Sequence, residues 1–113
     1  MALRLQIELI YDPGCTSVER ARDVLTAACR EAGVPAVWTE WNSAAADCPR
    51  HARNRGSPTI LVNGEDVAPG PHAWTPHDGP RQRMYRDGDA LVPVPPLGRV
   101  VHAITAVLGP AVG

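Results

Sequence analysis

Leu3, Leu5, Ile7 and Leu9 alternate with Arg4, Gln6 and Glu8 and run into Ile10 and Tyr11; the run then stops at Asp12-Pro13-Gly14, and the next residue is a cysteine. A period of two predicts a strand with one buried face. Directly after Cys15, Thr16 and Glu19 have capping-box spacing, and Val18, Ala21, Leu25, Ala28 or Cys29, and Ala32 form an apolar stripe at helical spacing. Gly33 ends that helix, with Pro35 just beyond. Ala36 to Trp41 is rich in Val, Trp and Thr and follows a helix of crossover length. It reads as a second strand, parallel to the first, in a right-handed βαβ unit.

The remainder of the chain is more broken. Pro49 to Asn54 predicts a short helix with Cys48 near its N-terminus, since proline suits the first helical position. Gly56-Ser57-Pro58 leads into Thr59-Ile60-Leu61-Val62, and Asn63-Gly64 is a strong hairpin signal. Residues 68–81, with His72, Trp74 and His77, are rich in proline and glycine and lack periodicity, which marks a long loop. Arg83 to Arg86 and Ala90 to Val92 read as strand segments around Asp87-Gly88. A last helix starts at Pro95-Pro96 and presents Leu97, Val100, Val101, Ile104, Val107 and Leu108 before Gly109-Pro110. The polar side of the first strand is awkward in a central position, where both faces should be covered. Either the short helix covers its second face thinly, or the strand order differs.

Composition narrows the function classes. The chain has 113 residues, 44% hydrophobic and 20% charged, with a net charge of −1, which predicts a single domain over 1–113. There is no basic run, so neither nucleic acid nor an anionic membrane is an expected partner. All 11 basic residues are arginine, which excludes a Schiff-base amine, a pyridoxal-phosphate anchor and a P-loop lysine. No apolar run has bilayer-spanning length and no apolar signal block is evident, so the expected location is cytoplasmic, with reduced thiols. The odd number of cysteines, 3, argues against a disulfide-stapled scaffold.

The order strand, helix, strand, short helix, hairpin, helix, with Cys15 at the start of the first helix and Ser57-Pro58-Thr59 opening the third strand, resembles the thioredoxin-like superfamily. More narrowly, Tyr11-Asp12-Pro13-Gly14-Cys15, Gly56-Ser57-Pro58-Thr59-Ile60-Leu61-Val62-Asn63-Gly64 and Arg83-Met84-Tyr85 resemble small bacterial thioredoxin-like proteins, some described as alkylmercury-lyase-like. The resemblance implies an α/β fold, a β-α-β-α-β-β-α three-layer sandwich with a mixed sheet. It also implies that Cys15 is the active thiol and that the Ser57–Pro58 bond is cis, with the Ser57 backbone exposed for pairing with an extended peptide or thiol substrate. Thr16, Ser17, Ser57 and Pro58 are then the candidate substrate-binding residues. Two departures stand out. The usual Cys-x-x-Cys is Cys15-Thr16-Ser17-Val18, which lacks the second thiol, and Gln82 stands where relatives often carry a cysteine before the Arg-x-Tyr stretch. The lyase activity is not carried over, because its cysteine pair and proton-delivering carboxylate have no identifiable counterpart.

The positive end of a helix favours a thiolate, the physical reason for placing a reactive sulfur at Cys15. Asp12 opposes that if its carboxylate points at the sulfur. Cys48 is the candidate resolving thiol, because loops at the carboxyl ends of parallel strands emerge at one sheet edge; the alternative is a loop thiol too distant for a bridge. Cys29 lies in the helical stripe as a core residue. His51, three residues beyond Cys48, either tunes that thiol or is solvated. His72 and His77 lack metal-site spacing, so no metal and no cofactor are expected. Trp38, Trp41 and Trp74 are candidates for lining a groove, but Trp38 and Trp41 cannot share one strand face. The reading is a monothiol protein acting in thiol–disulfide exchange on a small thiol or a protein thiol, as a monomer or homodimer. A soft-metal or organomercurial thiol binder using Cys15 and Cys48, or a redox-inactive scaffold, are the alternatives.

Overall fold

The computed structural model describes residues 5–69, 73–74 and 82–109. His72, His77, Leu3, Arg4 and most of the loop 68–81 lie outside the described residues. The protein is an α/β structure. The elements are β1 (Ile7–Tyr11), α1 (Val18–Ala32), β2 (Thr39–Asn42), a 3-10 turn (Arg50–Ala52), β3 (Thr59–Val62), β4 (Glu65–Asp66), β5 (Ala73–Trp74), β6 (Arg83–Asp87), β7 (Ala90–Val92) and α2 (Leu97–Leu108). A mixed four-stranded sheet has the order β2-β1-β3-β4, and a three-stranded sheet has the order β5-β6-β7. β1 and β2 are parallel, with Leu9 opposite Glu40, and β3 runs antiparallel to β1, with Leu9 opposite Ile60. The βαβ unit is as the sequence predicts, although the strand starts at Thr39 rather than Ala36. The short helix expected over Pro49 to Asn54 is a single 3-10 turn with Pro49 preceding it.

Both helices pack on one face of the sheet. Ile7 and Leu9 of β1 and Ile60 and Val62 of β3 meet Ala21, Leu25, Ala28 and Cys29 of α1 and Val100 and Ile104 of α2. Leu97, expected on the buried stripe, is instead 39% exposed. α1 ends in a Schellman motif: Gly33 adopts φ 76°, its N–H bonds to the Arg30 carbonyl at 3.2 Å, and the Val34 N–H bonds to the Cys29 carbonyl at 2.9 Å. Asn63 (φ 50°) and Gly64 (φ 82°) make the β3–β4 turn in the left-handed region that a two-residue hairpin loop requires. The Ser57–Pro58 bond is cis.

The opposite sheet face settles the polar side of β1. β1 is central, and Glu8 is buried there beside Ile10. A buried carboxylate needs donors. Glu8 Oε2 accepts from Trp41 Nε1 at 2.8 Å and lies 2.8 Å from His51 Nε2. Ile10, Leu61, Cys48 and Ala52 form a small cluster beside them, with Trp41 packed against it. The 3-10 turn therefore covers this face thinly, with His51 capping the one carboxylate that would otherwise make burial costly. Trp38 packs into the main core instead, so the two tryptophans occupy opposite faces as their odd spacing requires.

On the outside of α1, Arg22 holds Glu40 with Nε and Nη2 at 2.8 and 2.7 Å and also pairs with Glu19. The Arg22 hydrogen bond holds the Glu40 carboxyl below its usual range against the opposing effect of burial, and the Trp38 indole N–H, 3.0 Å away, adds to the lowering. A depressed folded-state pKa means that the pair stabilises the fold above the unfolded carboxylate pKa and loses that contribution as pH falls through the folded value. Two predictions follow from these networks. Urea midpoints of the wild type and Arg22→Ala should differ at neutral pH and converge as pH falls below about 4, with a gap that stays constant counting against the pair. Trp41→Phe, which keeps a ring but removes a donor from buried Glu8, should cost about 1–3 kcal/mol in the same measurement.

Candidate functional site

Cys15 sits between β1 and α1, its N–H bonded to the Asp12 carbonyl at 3.1 Å across the Pro13-Gly14 turn. Proline and glycine suit that reversal, and Gly14 takes φ 80° there. The thiol is partly exposed, and Pro13, Gly14 and Thr16 around it are exposed. The expected capping box does not form. Ser17 is the N-cap, without a side-chain capping bond, and its hydroxyl donates to Gln82 Oε1 at 3.3 Å, while Glu19 pairs with Arg22. The first turn of this 15-residue helix thus has no side-chain acceptor at its Ser17 cap.

Gln82 is the polar neighbour of that sulfur. Its Nε2 donates to the carbonyls of Arg83 at 2.8 Å and Pro93 at 3.1 Å. An amide whose nitrogen faces two carbonyls must turn its oxygen the other way. Oε1 accordingly lies 3.9 Å from Cys15 Sγ. In the sequence Gln82 stands out only as a departure from the pattern the chain resembles, and no local pattern marks it as a partner of Cys15 across 67 positions.

The Ser57–Pro58 segment reaches the same place. Gln82 forms a parallel bridge with Ser57, and the Ser57 hydroxyl accepts the Asp12 N–H at 2.9 Å. The expectation that the Ser57 backbone is open for pairing does not hold. Ser57 is fully buried, and its carbonyl accepts the Arg83 N–H at 2.8 Å, because β6 lies alongside it. Pro58 is also fully buried, and its carbonyl accepts the Tyr85 hydroxyl. Burial pushes the Tyr85 phenol well above its usual value, so it stays a donor across the physiological range. Asp12 does not present a lone carboxylate: its Oδ1 accepts the Ser43 hydroxyl from the loop after β2.

The other candidates stand apart. Cys15, Cys29 and Cys48 are all free thiols. Cys48 is buried, with Sγ 3.7 Å from the Pro49 carbonyl and its packing partners Ile10, Ala52 and Leu61, so the structure does not join it to Cys15. His51 engages Glu8 and not the Cys48 thiol. Cys29 is fully buried in the main core, and desolvation raises its thiol pKa. Neither Trp38 nor Trp41 covers Cys15, since their indoles bond to Glu40 and Glu8. Among the described residues, no group of three or more His, Cys, Asp or Glu side chains is placed to hold a metal ion, and no helix is long and apolar enough to cross a membrane.

The arrangement offers one partly exposed sulfur just before the Ser17 cap of α1, with a fixed amide oxygen 3.9 Å away. A native titration with a chromogenic disulfide reagent should therefore consume one thiol quickly, with Cys29 and Cys48 reacting only after denaturant is added. Rapid reaction of a second thiol in the folded protein would contradict the burial of Cys48. No protein-family model, curated protein or solved structure matches this chain.

Proposed function

We propose that the chain is a thioredoxin-like monothiol protein that exchanges disulfides through Cys15. Supporting the fold half of that reading are the strand order β2-β1-β3-β4, the two helices on one sheet face and the cis Ser57–Pro58 bond at the entry to β3. The chemical half is carried by a single observation. Cys15, the one partly exposed cysteine, lies at the N-terminus of α1 and shares Gln82 with the Ser57 segment. The thiolate is the form that attacks a disulfide sulfur, and Cys15 is the cysteine that a disulfide in solution can reach.

In the exchange, the Cys15 thiolate attacks one sulfur of RS–SR, forming Cys15–S–S–R and releasing RS⁻, which takes up the proton that Cys15 gave up. A second external thiol then attacks the mixed disulfide and restores Cys15. That step falls to an outside thiol because Val18 occupies the usual resolving position and Cys48 is enclosed by Ile10, Ala52 and Leu61. Thr16 is exposed at the rim, and the Ser17 hydroxyl and Gln82 oxygen supply polar contacts for the incoming group.

Intact-mass measurement after incubation with oxidised glutathione tests the reading. One glutathionyl group should be added to the wild type, none to Cys15→Ser, and excess reduced glutathione should remove it. An unmodified wild-type protein, or a Cys15→Ser variant modified equally, would sink the proposal.

A further inference from the structure

The strand edge beside the thiol is already occupied by the chain itself. An extended peptide binds a sheet edge through unpaired main-chain groups, with side-chain pockets adding specificity. Gln82, whose amide oxygen lies 3.9 Å from Cys15 Sγ, is flanked by such a group, the Ser57 carbonyl, which accepts the Arg83 N–H at 2.8 Å. Gln82 completes a parallel bridge to Ser57.

β6 is fixed in this position by more than those main-chain contacts. Arg83 is fully buried; its Nη1 donates to Thr59 Oγ1 at 2.7 Å and to Asp66 Oδ2 at 2.8 Å, and its Nη2 donates to the Ala68 carbonyl at 3.2 Å. Two residues on, the Tyr85 hydroxyl is bonded to the Pro58 carbonyl. An incoming strand would have to displace a buried guanidinium together with its partners, which leaves charge uncompensated. Pro13, Gly14 and Thr16, beside Cys15 in the chain, are exposed and Cys15 itself is partly exposed, which suits a reagent that needs no strand pairing.

We infer that Cys15 takes low-molecular-weight thiols and disulfides, and that the Gln82–Arg83 segment excludes extended polypeptide disulfides from the site. This rests on the exchange reaction proposed above and names its substrate class. The bond changes are those of exchange: the attacked S–S bond breaks, the Cys15–S bond forms, and the departing thiolate takes the proton.

The test compares two reagents on the wild-type protein: bis(2-hydroxyethyl) disulfide, and a short extended peptide whose central cysteine is disulfide-linked to 2-mercaptoethanol. For the peptide reagent the rate compared is that of the peptide adduct, formed by attack on the peptide sulfur with release of 2-mercaptoethanol and told apart by mass from the small adduct that forms when the peptide leaves. Adduct formation is followed by intact mass, and exchange of the Arg83 amide hydrogen is followed in parallel. The peptide is expected to react about tenfold or more slowly, with the Arg83 amide equally protected in the free protein and in either adduct. Comparable rates, or loss of Arg83 protection in the peptide adduct, overturn the inference and leave the exchange reading standing. If neither disulfide reacts, the exchange reading fails and access is read from alkylation, with iodoacetamide against the same peptide carrying an iodoacetyl group. Preferential alkylation by the small reagent then supports the closed edge, and equal or absent alkylation refutes it.

Discussion

The guanidinium of Arg83 is the interaction on which the described structure turns. Among the described residues it is the largest fully buried side chain, and it gathers Thr59 at the start of β3, Asp66 on β4 and the Ala68 carbonyl around one charge. It also lies 4.5 Å from the centre of the Tyr85 ring, on the same face of β6. Burying a cation costs several kcal/mol, and a well-placed carboxylate with further acceptors roughly offsets that cost without greatly exceeding it. The gain is therefore in register more than in stability. A one-residue slip of β6 would turn Arg83 and Tyr85 to the other face and strand the charge, so only one alignment satisfies it.

That alignment decides what faces the thiol. With Arg83 inward, Gln82 must point to the opposite side, and the carbonyls of Arg83 and Pro93 orient its amide. Its oxygen then meets both Ser17 and Cys15. The Ser17 hydroxyl donates to that oxygen instead of accepting a bond from the helix's own N–H groups, so the N-terminus of α1 lacks the side-chain cap that the sequence pattern leads one to expect. A helix loses about 1 kcal/mol when such a cap is absent.

What was legible in the sequence is what local periodicity controls. The alternation through Leu9, the stripe through Leu25 and Gly33, and the Asn63-Gly64 turn each report a local preference, and β1, α1 and the β3–β4 hairpin follow. The alternation could not tell that Glu8 would be buried, because its donors, Trp41 and His51, lie 33 and 43 positions away. The same holds for the site. Cys15 and Pro58 stand out by position and type, whereas Gln82 becomes a neighbour of Cys15 only through the burial of Arg83. The capping-box pattern at Thr16 and Glu19 misled because the helix caps one residue later, at Ser17, whose hydroxyl turns to Gln82, while Glu19 pairs with Arg22. One local partner, Arg22, and one distant partner, Gln82, outweighed a local motif worth about as much as each of them.

The sheet shows how the remaining edges are managed, and that bears on the chemistry. Its outer strands are short: β2 spans four residues and carries Glu40 paired with Arg22, and β4 spans two, both acidic. Short, charged edges resist pairing with another chain. The segment entering β3 has neither protection, since Ser57 and Thr59 are uncharged and Pro58 is apolar. There β6 supplies the protection by pairing with Ser57 through its own backbone. An open edge at that point would be both a site for peptides and a site for aggregation, because each uses the same unpaired carbonyl. Closing it removes both possibilities together and leaves Cys15 beside it as the partly exposed cysteine.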